Sequence, residues 1–335
     1  MVSRSELGPV AGKDYPGNWI ELNRWFPDDD ACASYLAKLR WPNGFVCPAC
    51  GSQQSWQIAD DRWMCRDCGR KTSVTAGTIF HRSRLPLATW FCAMWMFCAE
   101  KNGVSALSLQ RQLGFGSYQT AWAWLQKLRR AMVLPDRDLL GGEGVSVEMD
   151  CTFLGGRTQG RSGVRYANKD EVVIAVELRH PRGFGRVRMA RIDSFRRKEA
   201  IFEFAKGCIA PGTILYTDGD RLYRDLPGEL DIVHEPFVVV SSGEHAHRLL
   251  PGVHRVASLL KRWLAGTFHN GQGSVHLDYY LDEFTFRFNR RNSRQRGLLW
   301  YRLVHQAVNT DPHPYKDLVA KSSDYMILGS LPLSR

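Results

Sequence analysis

Two short cysteine motifs constrain the N-terminal third of this chain more than any other feature. Cys47 with Cys50, and Cys65 with Cys68, form two Cys-x-x-Cys turns, each followed by glycine, and fourteen residues separate them. Such a turn directs two thiolates at one point, and the glycine permits the positive φ angle that the turn requires. Four thiolates make a closed tetrahedral site that suits structural zinc. We therefore predict a zinc ribbon over residues 41–82 with these four cysteines as its ligands.

Two other uses of paired cysteines fit the pattern less well. A redox dithiol needs one such motif beside a βαβ unit, and disulfides are rare where thiols stay reduced. Between the motifs, residues 56–58 and 62–64 predict the two strands of a hairpin with Asp60 and Asp61 at its tip. Five further cysteines lack ligand spacing, and we expect them to be small buried apolar residues: Cys32, Cys92, Cys98, Cys151 and Cys208.

Charge favours an acidic partner. The 335 residues include 45 Lys and Arg against 34 Asp and Glu, which gives a formal net charge of +11, so nucleic acid is the first partner to consider; the alternative is a protein that is merely basic. The excess lies toward the two ends, because residues 147–254 hold 16 basic and 15 acidic side chains.

The sequence contains no run of about 18 apolar residues, so we predict no membrane span. The polar N-terminus contains no apolar signal core, and we expect the cytoplasm.

A helix-turn-helix pattern follows the cysteine motifs, within a helical region that we place at residues 83–140. Residues 105–113 and 117–132 have helical spacing, and a short glycine turn joins them. A second helix of this kind enters the major groove of DNA with its first turns at the base edges. We therefore expect DNA contacts from the second helix, although an ordinary helical hairpin would show the same pattern; the candidates are Gln119, Thr120, Lys127, Arg129 and Arg130. Residues 1–40 predict a helical lead-in.

The pattern changes after a glycine-rich linker at residues 141–144. Short apolar runs at 145–153, 171–178, 186–192, 213–217 and 232–240 predict strands, and helices separate the later ones. This order predicts an α/β domain with a mixed sheet. Glu148 and Asp150 lie on the same face of the first strand, opposite Val147 and Met149. Asp218 ends the fourth strand, and acids on two neighbouring strand ends could hold a divalent cation such as Mg²⁺.

A basic helix and a basic C-terminal block complete the candidate residues. His254, Ser258 and Lys261 share one face of a helix at residues 254–265. Further along, arginines interleave with phenylalanines, which indicates either phosphate contacts or a solvated basic face; these are Arg287, Arg290 and Arg291.

In order and in sequence, these motifs resemble the DDE transposases of bacterial insertion sequences, in particular the ISXO-type branch, whose members open with a zinc ribbon. The fragments that carry the resemblance are Cys65–Cys68 with residues 71–78, Glu148–Asp150, Thr217-Asp218-Gly219, Ser258–Lys261, residues 266–269 and residues 280–291. The resemblance implies a ribonuclease-H-like catalytic domain over residues 145–308, followed by a C-terminal tail at 309–335. It also implies two catalytic Mg²⁺ or Mn²⁺ ions, cleavage at transposon ends of double-stranded DNA, strand transfer to target DNA, and a homo-oligomer that handles both ends.

Position by position, the resemblance makes Asp150 the first metal-binding acid and Asp218 the second, and gives Lys261 a phosphate contact. The third acid is where this chain departs, because His254 stands where the family has glutamate. Imidazole suits Mn²⁺ or Zn²⁺ better than Mg²⁺. Either the branch tolerates histidine there, which we favour because the flanking motifs are intact, or Asp282 or Glu283 completes the site, or this copy is inactive. An inactive DNA-binding regulator and a ribonuclease-H-like nuclease therefore stand as alternatives to a transposase.

Overall fold

The computed structural model describes residues 8–59, 61–133, 138–155, 169–179, 181, 183–192, 197–237, 249–268 and 276–319. The chain divides into two compact units. The first contains residues 1–134 and 292–335, and the second contains residues 135–291. Within the described residues, no helix combines the length and the apolar character that crossing a lipid bilayer requires.

The first unit contains a small sheet and seven helices among its described residues. Its strands are β1 (Ser55–Ile58), β2 (Arg62–Cys65) and β3 (Lys71–Ser73), paired antiparallel in that order. The helices are α1 (Trp19–Trp25), α2 (Asp29–Arg40), α3 (Leu87–Ala99), α4 (Ala106–Leu113), α5 (Tyr118–Ala131), and, after the second unit, α10 (Arg296–Val308) and α11 (Tyr315–Val319). The hairpin of β1 and β2 and the helical lead-in agree with the sequence prediction.

Local sequence accounts for where these helices begin. Asp28 precedes α2, and its carboxylate accepts a hydrogen bond from the Ala31 amide at 2.9 Å. Ser117 precedes α5 and accepts in the same way from the Thr120 amide at 3.2 Å. Such caps satisfy amide groups that have no partner inside the helix. The predicted helix, glycine turn and helix are therefore present, with Gly114 in the left-handed conformation that ends α4.

Helix α10 belongs to the first unit, whereas the sequence analysis placed residues 296–308 at the end of the catalytic domain. Trp300 explains the difference. Its fully buried ring contacts Phe26 and Phe91, and its indole nitrogen donates to the Phe91 carbonyl at 3.1 Å. Gly297 lies against the Pro16 carbonyl, where no side chain would fit. Partners some 200 residues away decide where this helix packs, and local spacing does not reveal them.

The second unit is built on a five-stranded mixed sheet with strand order β6-β5-β4-β7-β8. The strands are β4 (Ser146–Leu154), β5 (Asp170–Leu178), β6 (Phe184–Ile192), β7 (Thr213–Asp218) and β8 (Ile232–Phe237). The first three pair antiparallel, and β7 and β8 continue the sheet parallel to β4. The predicted mixed α/β sheet is confirmed.

Helices cover both faces of this sheet. They are α6 (Arg197–Cys208), α7 (Leu226–Glu229), α8 (Pro251–Phe268) and α9 (Leu277–Asn289). Val173 and Ala175 of β5 pack with α6 on one face, and Val172, Ile174 and Val176 pack with α8 and α9 on the other. Burial on both faces explains why the centre of β5, residues 172–176, is apolar without interruption. The sheet therefore holds the carboxyl-terminal ends of β4 and β7 in a fixed frame.

Candidate functional site

The four predicted zinc ligands form a tight cluster. Their sulfur atoms all lie within 4.8 Å of one another, and the Cys47–Cys68 and Cys50–Cys65 pairs are 3.6 Å apart. A tetrahedron with Zn–S bonds of about 2.3 Å separates sulfurs by roughly 3.8 Å, so the cluster has the size of a zinc site. Among the described residues, no other set of three or more histidine, cysteine or acidic side chains meets the same distance test.

Backbone geometry shapes this cluster as the sequence indicates. Gly51 and Gly69 have φ angles of +73° and +69°, and their amides donate to the carbonyls of Cys47 and Cys65 at 2.9 and 3.0 Å. The Ala49 amide lowers the pKa of the Cys47 thiol to about 6 and the Cys68 amide lowers that of Cys65, whereas contacts with the neighbouring cysteine sulfurs raise the pKa values of Cys50 and Cys68. Thiolates are the form that binds metal. The donor set therefore fits a structural zinc ion.

Asp150 and Asp218 lie on adjacent parallel strands. The last paired residues of β4 and β7 in this register are Glu148 and Tyr216, and each aspartate lies two residues further along its strand. Both side chains therefore project from the same edge of the sheet, where the carboxyl ends of parallel strands form binding sites.

The electrostatics of Asp150 indicate that Asp218 lies near it. Burial, and then repulsion from Asp218, raise the pKa of Asp150 to about 6. Burial likewise raises the pKa of Asp218, and the Asp220 amide, which donates to Oδ1 at 3.2 Å, opposes this effect. Both carboxylates are half-buried and have raised pKa values, and a bound cation would stabilise their ionised form. The arrangement is thus a candidate cation site formed from the first two acids that the sequence predicts.

His254 joins these acids from helix α8. Its electrostatic effect acts to lower the pKa of Asp218 and is smaller than the effects of burial, Asp220 and Arg197. Ser258 donates its hydroxyl to the His254 carbonyl at 2.8 Å, and Lys261 is exposed one turn further on the same helix. The predicted helical face is therefore present. Asp150, Asp218 and His254 do not form a cluster of ligand atoms as compact as that of the four cysteines.

Glu148 has a role that the sequence analysis did not assign. Its side chain is 2% exposed, and Oε2 accepts a hydrogen bond from the Val253 amide at 2.8 Å; the Gly252 amide also bonds to this carboxylate. A Cβ on Gly252 would lie 2.8 Å from Oε2, so only glycine fits there. Glu148 therefore caps the start of α8, within one turn of His254. The buried acid on an apolar strand was the available signal.

Arg197 is the second residue that the sequence analysis missed. Its guanidinium pairs with buried Glu171 at 2.8 Å and with Asp220 at 3.4 Å. Its charge also lowers the pKa values of Asp150 and Asp218. Arg197 therefore partly neutralises the acidic edge of the sheet from the first turn of α6.

Glu283 was one alternative for the third ligand. It is fully buried, and its Oε1 accepts from the Arg287 Nε at 2.8 Å on the same helix. That carboxylate is therefore already engaged by a cation. Asp282, the other alternative, is half-buried on the same helix. His269, the last residue of the matching fragment at residues 266–269, lies outside the described residues.

The predicted DNA contacts of helix α5 fall into two groups. Gln119 is exposed, and Thr120, Lys127 and Arg130 are partly exposed. Arg129 is 1% exposed and lies over the Phe97 ring at 5.8 Å. The expectation that Arg129 contacts DNA is therefore corrected: its place in the last turn indicated a charged surface, but the side chain points into the core.

The arginines of α9 also have partners within the protein. Arg287 pairs with Glu283, as described above. Arg290 lies 4.0 Å from the centre of the Phe286 ring, and Arg291 lies 4.0 Å from that of Phe288. Arg291 also donates to the carbonyls of Gly185 and Phe184. These interactions hold α9 and its C-terminal end on the sheet. They account for the alternation of arginine and phenylalanine, while Arg291 itself stays exposed.

Known proteins share these features. The ISXO2-like transposase domain matches residues 139–289, and the transposase zinc-ribbon domain matches residues 27–71. An uncharacterized protein in transposable element ISH50 of Halobacterium salinarum is 27% identical over 296 residues, which cover 78% of this chain and 91% of that protein.

A chain of the simian T-cell lymphotropic virus intasome, solved with PP2A regulatory subunit B56 gamma, is 13% identical with a TM-score of 0.32; the match covers 59% of this chain and 70% of that one. The two family matches together span more than half of the chain, and each coincides with a site described above. The chain therefore belongs to the ISXO2-like transposases that carry an N-terminal zinc ribbon.

Proposed function

We propose that this protein is the DNA transposase of an insertion sequence, which binds the ends of its element and catalyses metal-dependent strand cleavage and strand transfer. In the first reaction a water oxygen attacks the phosphorus at the end of the element. The bond to the 3′ oxygen breaks, leaving a 3′-hydroxyl and a 5′-phosphate. In the second, that hydroxyl attacks a phosphodiester of target DNA and displaces another 3′ oxygen.

The juxtaposition of Asp150 and Asp218 carries this proposal. The two carboxylates share one edge of the sheet; burial raises the pKa of both, and repulsion from Asp218 raises that of Asp150 further. Hard carboxylate oxygens are the ligands that Mg²⁺ and Mn²⁺ prefer, and His254 would add a nitrogen ligand. A divalent ion there would stabilise the charge that develops on a transferring phosphoryl group. A histidine ligand favours Mn²⁺.

The chain's own cations and scaffold complete the proposed site. Lys261 is exposed on the His254 face of α8, where its ammonium would contact a DNA phosphate as a mobile point charge. Arg197 would limit the repulsion between the acids before a cation binds. The four cysteines would hold a structural zinc ion, and α5 would contact DNA through Gln119, Thr120, Lys127 and Arg130.

Handling two ends of one element requires more than one active site near the DNA. We therefore propose a homo-oligomer on double-stranded DNA. Arg287, Arg290 and Arg291 remain candidates for phosphate contact, in addition to their packing role. This part of the proposal predicts that protein and DNA ends assemble in complexes larger than one chain on one duplex.

The test is cleavage of a labelled duplex that carries the end of the element, in Mg²⁺ or Mn²⁺, by the full chain. Asp150→Ala and Asp218→Ala should each abolish nicking, while Glu203→Ala, which removes an exposed carboxylate from α6, should leave it unchanged. DNA binding without cleavage in either metal would indicate the inactive regulator. Nicking without joined products would indicate the nuclease.

A further inference from the structure

A cavity of about 660 Å³ lies beside the start of helix α5 in the first unit. Gln119 and Thr120, two of the residues predicted to read DNA, open onto it. A volume of this size is typical of sites that hold small organic groups. The transposase function proposed above assigns no role to this space.

The floor of the cavity is aromatic. Trp90 and Trp124 are buried and stack on each other with ring centres 3.5 Å apart and planes 12° apart. The Trp90 indole nitrogen donates to the Ser83 hydroxyl at 2.9 Å, which orients that ring. Tyr315 of α11 also lines the cavity and is 49% exposed. The cavity therefore combines a rigid apolar floor with an accessible aromatic ring.

Its charged residues are all basic. Arg82, Arg84 and Lys127 line the cavity, and no acidic residue does among the described ones. Neither Arg82 nor Arg84 forms an ion pair with any residue that the structure describes. Burial lowers the pKa of the Lys127 ammonium, and a bound anion would oppose that effect. The cavity is therefore complementary to a negatively charged group.

Arg82 is held in an unusual backbone conformation. Its φ angle is +54°, in the left-handed region that bulky residues rarely adopt. Such strain persists where the surrounding structure enforces it, and it occurs at sites that bind ligands. Arg82 is also exposed at the cavity. This observation is independent of the charge and the aromatic floor.

A phosphate joined to an aromatic ring system matches this lining. In duplex DNA, each base hides its faces in the stack, so a duplex offers only its phosphates to such a cavity. An unpaired nucleotide offers both a phosphate and a free π face, which aromatic side chains bind by stacking. We propose that the cavity binds an unpaired nucleotide of the DNA held by α5, with its phosphate near Arg82 and Lys127 and its base against Tyr315. This inference rests on the proposed DNA contact of α5.

The experiment compares two fluorescent DNA probes with the full chain: a blunt duplex, and the same duplex with a single-stranded overhang a few nucleotides long. Stacking of one base predicts that the wild type binds the overhang probe about tenfold more tightly. Tyr315→Ala should remove this preference, and Tyr315→Phe should keep it. Tyr315 is half-exposed, so neither change should unfold the chain.

Two arginine variants separate cavity binding from general attraction. The salt dependence of binding is the slope of the logarithm of affinity against the logarithm of salt concentration. Arg82→Ala should reduce the magnitude of this slope for the overhang probe by about 0.7 more than for the blunt probe. Arg111→Ala removes an exposed cation of α4 outside the cavity, and it should leave the preference for the overhang unchanged. A 2-aminopurine in the overhang should lose fluorescence on binding to the wild type and not to Tyr315→Ala.

The possible results separate this inference from the function on which it rests. Equal binding of the two probes by the wild type, or a preference that survives Tyr315→Ala, overturns the nucleotide cavity while DNA binding stands. Failure of the wild type to bind either probe overturns the DNA contact itself.

Discussion

The hydrogen bond between Glu148 and helix α8 leads to a prediction that separates geometry from charge. The carboxylate accepts from the Val253 amide at 2.8 Å and is almost fully buried. Burial raises the pKa of Glu148, and the amides of Val253 and Gly252 only partly offset this effect. The ionised carboxylate therefore stabilises the folded state little more than a neutral group of the same shape would. What stabilises the helix is an acceptor oxygen at this position.

Glu148→Ala removes that acceptor and leaves a buried void beside Gly252. A buried amide without a partner costs about 1–3 kcal/mol, and loss of a helix cap costs about 1 kcal/mol. Both figures describe the loss of the same hydrogen bond, so we expect a decrease of about 1–3 kcal/mol in the free energy of unfolding of the second unit. Glu148→Gln keeps an amide oxygen in the same place and avoids burying a charge, so its change should stay within about 1 kcal/mol.

Urea unfolding of the full chain, followed by hydrogen exchange on peptides of the second unit, would measure both variants. Peptides from residues 249–268 should exchange faster in Glu148→Ala than in Glu148→Gln, and Glu203→Ala serves as the control. Equal destabilisation by the two Glu148 variants would show that the charge matters more than the acceptor. Unchanged exchange at the start of α8 in Glu148→Ala would refute the capping role.

Three further predictions concern the metal sites. Cys50→Ser, or a strong chelator, should release one zinc ion per chain and disorder residues 41–82. A colorimetric zinc assay would measure the metal, and hydrogen exchange would measure the disorder. Retention of metal by the variant would contradict the assignment of Cys50 as a ligand. Asp150→Asn should stabilise the metal-free protein by about 1–3 kcal/mol at pH 7. The sign follows from the raised pKa of Asp150, about 6: the stability that a protonated Asp150 provides is complete below its unfolded pKa and is lost as the pH rises through about 6. Melting temperatures of variant and wild type in chelator should therefore converge toward pH 4, and a constant gap would contradict this. His254→Glu should shift the metal preference of DNA cleavage from Mn²⁺ toward Mg²⁺, and His254→Ala should abolish cleavage. Unchanged metal preference and activity in these variants would exclude His254 as a ligand.

Short-range patterns predicted much of the fold and the position of the first two acids. The cysteine turns depend on neighbouring residues and glycines, so spacing alone predicts the cluster that the structure contains. The strands of the second unit are apolar runs with acids at defined positions, and the pleat places alternate residues on one face. Asp150 and Asp218 could be paired because parallel strands end at the same edge.

Long-range contacts could not be predicted in this way. Glu148 accepts a hydrogen bond from the Val253 amide, which lies 105 positions later in the chain. Trp300 packs against residues more than 200 positions earlier. Arg129 illustrates the same limit, because its place in the last turn of α5 agrees with a surface cation although its side chain is buried. In each case the partner is chosen by tertiary packing, which a local pattern does not encode.

The capping of α8 also bears on His254, the position at which the resemblance implies glutamate. The backbone at the start of this helix is held by Glu148 through the amides of residues 252 and 253, and by the close approach of Gly252 to the sheet. None of these contacts involves the side chain of residue 254. The scaffold can therefore present either an imidazole or a carboxylate toward Asp218 without moving the helix. We therefore expect a change at position 254 to alter which cation the proposed site prefers and to leave the frame of the site in place, so that the His254→Glu experiment tests ligand chemistry and not folding.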